Sequence, residues 1–130
     1  MSAKGRPAPT DGGWEVRRRL LQRAVALPRA TQAHPLGKDV VKVSGKVFVF
    51  LGSEDDLEPG IGVKLPTSHG SALRLSGTRP GGHGLGRHHW ITIPIRSQVS
   101  ESQLFSWVIE SYRAVAPATA RRLLNAADAQ

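Results

Sequence analysis

Three histidines and two arginines crowd into one glycine-rich stretch, RPGGHGLGRHHWITIPI, from Arg79 to Ile95. Residues of these types could do three kinds of chemistry. Glycine backbone can cradle a phosphate, imidazoles can ligate a metal, and cations beside an aromatic ring can grip a polyanion. The first needs a strand before the glycines and a helix after them, with its N-terminus facing the phosphate. Here Pro80 precedes the run and a β-branched apolar segment follows. The glycines are therefore read as a sharp turn that lies close to a sheet. For the second, His83, His88 and His89 show no His-x-His or His-x₃-His spacing. On a strand, His88 and His89 point to opposite faces, and His34 and His69 are distant in sequence. Neither metal nor cofactor is expected.

Other constellations are weaker. Glu54, Asp55, Asp56 and Glu58 lack the spacing and glycine of a calcium loop and are read as a solvated turn. No G-x-S-x-G elbow occurs, and Asp39 near His34 forms no persuasive Ser, His and Asp set. The chain has no cysteine, which removes thiolate catalysis, disulfides, cysteine-based zinc sites and iron–sulfur clusters. The expectation is a protein that is not an enzyme.

The third chemistry fits the composition. The chain has 130 residues, enough for one domain with its own core. Lys plus Arg number 18 against 10 for Asp plus Glu, a net charge of +8, and 13 of the cations are Arg. Arginine holds phosphate through two parallel hydrogen bonds. Such an excess points to nucleic acid first and to a membrane surface second. Lys4 and Arg6 are followed by prolines and not by an apolar segment, so no signal peptide is read. The longest apolar run, Val47 to Leu51, is too short to span a bilayer. A cytoplasmic protein without membrane contact is expected.

These residues need elements to position them. Residues 1–13 are rich in proline, glycine and small side chains and read as a flexible tail. A helix starts at Trp14, with Trp14, Leu21, Ala24 and Val25 on one face, Val16, Leu20 and Leu27 beside them, and Arg17, Arg18, Arg19 and Arg23 filling the rest. Pro28 stops it. ATQAHPLGKD reads as a loop. VVKVSGKVFVFL reads as a hairpin turning at Ser44-Gly45. Strict alternation there turns Val41, Val43, Phe48 and Phe50 toward the core and Val40, Lys42, Val47, Val49 and Leu51 away from it. IGVKL is a third strand, and Thr67 or Ser68 caps a short helix through Leu75. HWITIPI is a strand with Ile91, Ile93 and Ile95 inward. Ser100 and Gln103 have the spacing of a capping box, opening a helix with a stripe of Leu104, Phe105, Val108, Ile109, Tyr112 and Val115. Pro117 ends it, leaving 118–130 as a short, frayed helical tail. Residues 14–117 thus form one α+β domain, an antiparallel sheet with helices packed on one face.

The uncovered sheet face then collects the candidate binding residues. Lys42, Lys64, Trp90 and Thr92 point away from the core. Lys46, Arg79, Arg87, His88 and Arg96 lie in adjoining turns and strand ends. Cations interleaved with an aromatic suit phosphate contact and base stacking together. The alternative is a protein–protein interface on the same face, with a second copy or another protein covering Val47, Val49, Leu51 and Trp90.

The segments ALPRATQAHPLG, VVKVSGKVFVFLG, GVKLP, LGRHHWITIPI and LFSWVIESYRAVAP, in this order, resemble the MmcQ/YjbR family of small bacterial proteins. The resemblance covers most of Ala26 to Pro117. It implies a CyaY-like α+β fold, related in shape to frataxin, and DNA binding through a double-wing arrangement of hairpins, with DNA favoured over RNA. The GW that the family commonly has before this strand is His89-Trp90 here, so only Trp90 carries over. The second turn is longer and more acidic than the family pattern. Frataxin likeness raises iron binding through an acidic first helix, but here that helix carries Arg17, Arg18, Arg19 and Arg23, which would repel iron.

Overall fold

The structure, a computed structural model, describes residues 8–82, 84–96 and 98–128. Residues 1–7 of the expected tail, residues 129–130 of the expected C-terminal tail, and His83 lie outside the described residues. Helix α1 spans Ala8–Val25. Strands β1 (Ala30–Ala33), β2 (Asp39–Val43), β3 (Lys46–Gly52) and β4 (Gly60–Lys64) follow. Then come helix α2 (His69–Leu73), strands β5 (Arg79–Pro80) and β6 (Trp90–Pro94), and helices α3 (Glu101–Val115) and α4 (Ala118–Asp128). The six strands form one sheet in the order β1-β2-β3-β4-β6-β5, and every neighbouring pair is antiparallel. Helices α1 and α3 pack on the same face of this sheet. Among the described residues no helix is long and apolar enough to cross a membrane.

The core lies between that face and the helices. Val41, Val43, Phe48, Val49, Val63, Ile91 and Ile93 rise from the strands to meet Leu20, Leu104, Val108 and Tyr112. The expected inward set of Ile91, Ile93 and Ile95 is buried, as are Val63 and Leu65. Ser44 and Gly45 both have positive φ, the conformation of a tight two-residue hairpin. The α3 cap also forms, with Ser100 Oγ accepting from the Gln103 N–H at 3.0 Å.

Strict alternation along VFVFL does not survive. The pairing jumps from Val41↔Val49 to Lys42↔Val47, leaving Phe48 as the extra residue of a β-bulge. Phe48 and Val49 both point inward and are fully buried. From there the faces exchange: Leu51 is buried and Phe50 stands on the outer side, 37% exposed. The expected inward Phe50 and outward Val49 and Leu51 are thereby corrected. Two residues of α3 hold the bulge in place: Tyr112, from the apolar stripe, and Ser111, which the stripe omitted. Tyr112 meets the Phe48 ring edge-on at 5.2 Å. Buried Ser111 donates its hydroxyl to the Phe48 carbonyl at 2.5 Å and accepts from the Lys64 N–H at 2.8 Å. It thus satisfies backbone groups of two adjacent strands.

Ser111→Ala is expected to leave that carbonyl and that N–H without their partner and to lower stability by about 2 kcal/mol, the cost of such desolvated groups. Urea denaturation checks it: the midpoint should fall at unchanged slope.

Four further differences have local causes. Helix α1 begins at Ala8 and not at Trp14. Pro9 falls in its first turn, where a missing N–H breaks no hydrogen bond. Gly13, read as tail, is a packing position: a Cβ there would meet the Ile95 carbonyl oxygen and Pro59 Cγ, both at 2.9 Å. Strand β1 arises from ATQA, expected as loop, because pairing with β2 and not alternation makes it a strand. The C-terminal helix α4 is docked, with Ala120 and Leu124 buried in the core.

Candidate nucleic-acid interface

The helices leave the other sheet face open, and the strand register decides what stands on it. Lys64 pairs with Trp90, Gly62 lies between Phe50 and Thr92, and Arg79 on the edge strand pairs with Thr92. Lys42 points the same way from β2, opposite Val47. The exchange at the bulge brings Phe50 beside Trp90, their ring centroids 5.3 Å apart and their planes at 70°. Next to this pair the sheet sinks into a hollow of about 370 Å³. Gly60 and Gly62 are part of its lining, together with Thr92, Pro94, Arg79 and Leu85. Asp56 and Glu58 of the β3–β4 turn line it too.

The glycine-rich stretch folds back on the start of β6. Gly81 donates its N–H to the Trp90 carbonyl at 2.7 Å, and Gly86 donates to Gly81 at 3.2 Å. A Cβ on Gly81 would come within 3.0 Å of the Trp90 Cβ, and one on Gly86 within 2.8 Å of the Pro80 Cβ. These glycines therefore serve close approach. Residues Leu85–His88 form a 3-10 turn that ends on His89 with φ 67°, so β6 begins at Trp90 and not at the expected His89. The turn exposes Arg87 and His88. His89 stacks on His69, centroids 4.1 Å apart, and His69 Nδ1 lies 2.9 Å from the Leu65 carbonyl oxygen. Sequence distance had kept these two histidines apart. Among the described residues no three His, Asp or Glu side chains come together as a metal site.

Ion pairing differs from one part of the molecule to another. Arg17 is buried on α1, donating to Asp39 at 2.6 Å and to the carbonyls of Leu51 at 2.8 Å and Gly52 at 3.1 Å. Arg18 pairs with Glu15, Arg19 with Glu101, and Lys38 with Asp56. The guanidinium of Arg23 lies over the Phe105 ring at 3.7 Å. By contrast, Lys42, Lys46, Lys64, Arg79 and Arg87 have no ion pair and no side-chain hydrogen bond among the described residues, and the same holds for Arg29, Arg74 and Arg122 outside the sheet.

Of the eight expected site residues, Arg79 and Trp90 line the hollow; Lys64 pairs with Trp90 across the strands, and Arg87 and His88 stand on the turn whose Leu85 is part of the lining. Lys42 shares their face from the far side of β3, and Lys46 stands at the hairpin end. Arg96 does not join them. It lies beyond the other end of β6, paired with Glu58 at 3.1 Å and donating to the Ser76 carbonyl at 3.4 Å.

The sequence model of the YjbR family matches residues 25–114. The chain belongs to the YjbR family. All eight expected site residues fall inside the YjbR segment. Two solved structures share the fold. A Deinococcus radiodurans protein with a DUF419 domain matches with a TM-score of 0.66 at 21% identity, over 83% of this chain and 86% of its own. A Pseudomonas syringae protein matches with a TM-score of 0.60 at 20% identity, over 76% of this chain and 97% of its own. No curated protein matches the chain.

Proposed function

We propose that this YjbR-family protein binds nucleic acid through the open face of its sheet, as a binding module without catalytic activity, with DNA as the expected partner. One observation carries the reading: cations without acid partners share a face with a partly exposed aromatic pair, Phe50 and Trp90. A net charge of +8 says little if most cations are neutralised locally. Here the pairing is uneven. The α1 arginines other than Arg23, with Lys38 and Arg96, are matched by carboxylates, while Lys42, Lys64, Arg79 and Arg87 are left for an external anion. Phosphates would meet these cations, and Trp90 and Phe50 offer rings for bases.

The protein-interface alternative loses support from the bulge. It relied on Val47, Val49, Leu51 and Trp90 covering a partner, and Val49 and Leu51 are buried in the core. Iron delivery has no acidic first helix to rest on, and the Asp56 and Glu58 carboxylates already hold Lys38 and Arg96.

Salt titration tests the proposal. With about four phosphates contacted, log affinity should fall against log salt with a slope of roughly −3 to −4. Binding that is flat with salt, or absent at low salt, refutes it.

A further inference from the structure

We propose that the hollow beside Phe50 and Trp90 takes one unstacked base of a single-stranded nucleic acid. This rests on the nucleic-acid reading above and narrows it from a charged face to a base-holding site on that face.

The shape is the first argument. The hollow is about 370 Å³, within the range of pockets that enclose small organic molecules and large enough for a base. Its emptiness comes from glycine. Gly62 lies in a strand without positive φ, so its conformation does not call for glycine. What glycine supplies is room: a Cβ there would begin 3.3 Å from the Phe50 Cβ, inside the space between Phe50 and Thr92.

The walls are the second argument. Phe50 and Trp90 meet edge to face, so the pair offers both a ring face and a ring edge to a planar guest. A base in a duplex is already stacked on both sides and cannot enter such a recess. A base in a single strand can, and aromatic platforms on open sheets are a common way to hold one.

Charge is the third and sets direction. Asp56 and Glu58 line the hollow from the β3–β4 turn, and Arg79 lines it from the edge strand. A nucleotide seated there keeps its phosphate from the carboxylates and places it at Arg79, toward the turn that exposes Arg87. Arg79 in the lining favours a base that carries a phosphate over a neutral aromatic ligand.

The test uses the whole chain and a labelled twelve-residue mixed-pyrimidine DNA strand, the same sequence as a duplex, and cytidine monophosphate as competitor. The strand should bind about tenfold tighter than the duplex at equal salt and should quench tryptophan fluorescence, a quench that Trp90→Phe removes. Thr92→Phe fills the hollow with every cation in place. It should weaken strand binding about tenfold and leave the salt slope unchanged. Equal binding of strand and duplex, with Thr92→Phe without effect, overturns the base site while leaving the charged face standing. Binding of neither overturns the charged face itself. Competition by the monophosphate at the strand's own concentration range overturns the strand and marks a free-nucleotide site. If Thr92→Phe does not fold, the quench and its loss in Trp90→Phe still decide: no quench by the strand overturns the proposal.

Discussion

Asp39→Ala should destabilise the fold by about 3–5 kcal/mol, the cost of leaving a buried charge without its counterion. The Arg17 side chain is only 3% exposed and Asp39 15%. Without the carboxylate, the guanidinium keeps only the carbonyls of Leu51 and Gly52. A protein of ordinary stability, about 5–15 kcal/mol, would lose a third or more of it. Arg17→Ala should cost a similar amount. The double variant Arg17→Ala with Asp39→Ala should cost less than the sum, because no lone charge remains buried. Thermal and urea denaturation of the four proteins check this. The pair also predicts a pH dependence. Burial pushes the Asp39 carboxyl up, but the Arg17 hydrogen bond and charge, with His34 and Gln32, outweigh it and hold it below the usual range. A carboxyl held lower in the folded state adds stability above its unfolded value, about 3.9, and loses it as pH falls through the folded one. Wild type and Asp39→Ala should therefore converge in stability in that acid window, and constant spacing down to pH 2 would contradict the assignment.

Trp90→Ala should weaken nucleic-acid binding by about 1–3 kcal/mol, the worth of one base–aromatic stack, with the salt slope unchanged. Arg87→Ala should also weaken it, but with the slope shallower by about 1, since one phosphate contact is lost. Both variants should remain folded. Trp90 is half-buried on the outer face, while Ile91 and Ile93 beside it carry the core contacts. Affinities measured at four or more salt concentrations separate the two effects. Equal slopes for both variants would show that Arg87 does not touch phosphate, and an unchanged affinity for Trp90→Ala would remove the ring from the interface.

Much of the fold was legible because its signals are local. The Ser44-Gly45 turn, the Ser100 cap and the Ile91, Ile93, Ile95 alternation each depend on a few neighbouring residues, and each stands where expected. The outer face was legible through Lys42, Lys64 and Trp90, since polar or large residues alternate there with β-branched ones. Phe50 was not. VFVFL is apolar throughout, so no polar residue marks which side faces water, and the bulge depends on Tyr112 and Ser111, far along the chain. Arg17 was misplaced for a related reason. Periodicity puts an arginine on the wet side of a helix, and only the sheet supplies the carbonyls and carboxylate that let it be buried. Arg96 was counted as free because Glu58 is distant in sequence and adjacent in space.

The bulge at Phe48 has a consequence for how this surface can change over time. The outward position of Phe50 is set by the extra residue of the bulge and not by the kind of residue at position 50. Ironing out the bulge at unchanged strand length would restore plain alternation and exchange the two faces downstream, sending the ring inward and Leu51 outward, whereas deleting Phe48 would remove the extra residue and leave Phe50 facing out. Point substitutions beside Trp90 can therefore reshape the recess gradually, whereas gain or loss of the bulge acts as an all-or-none event.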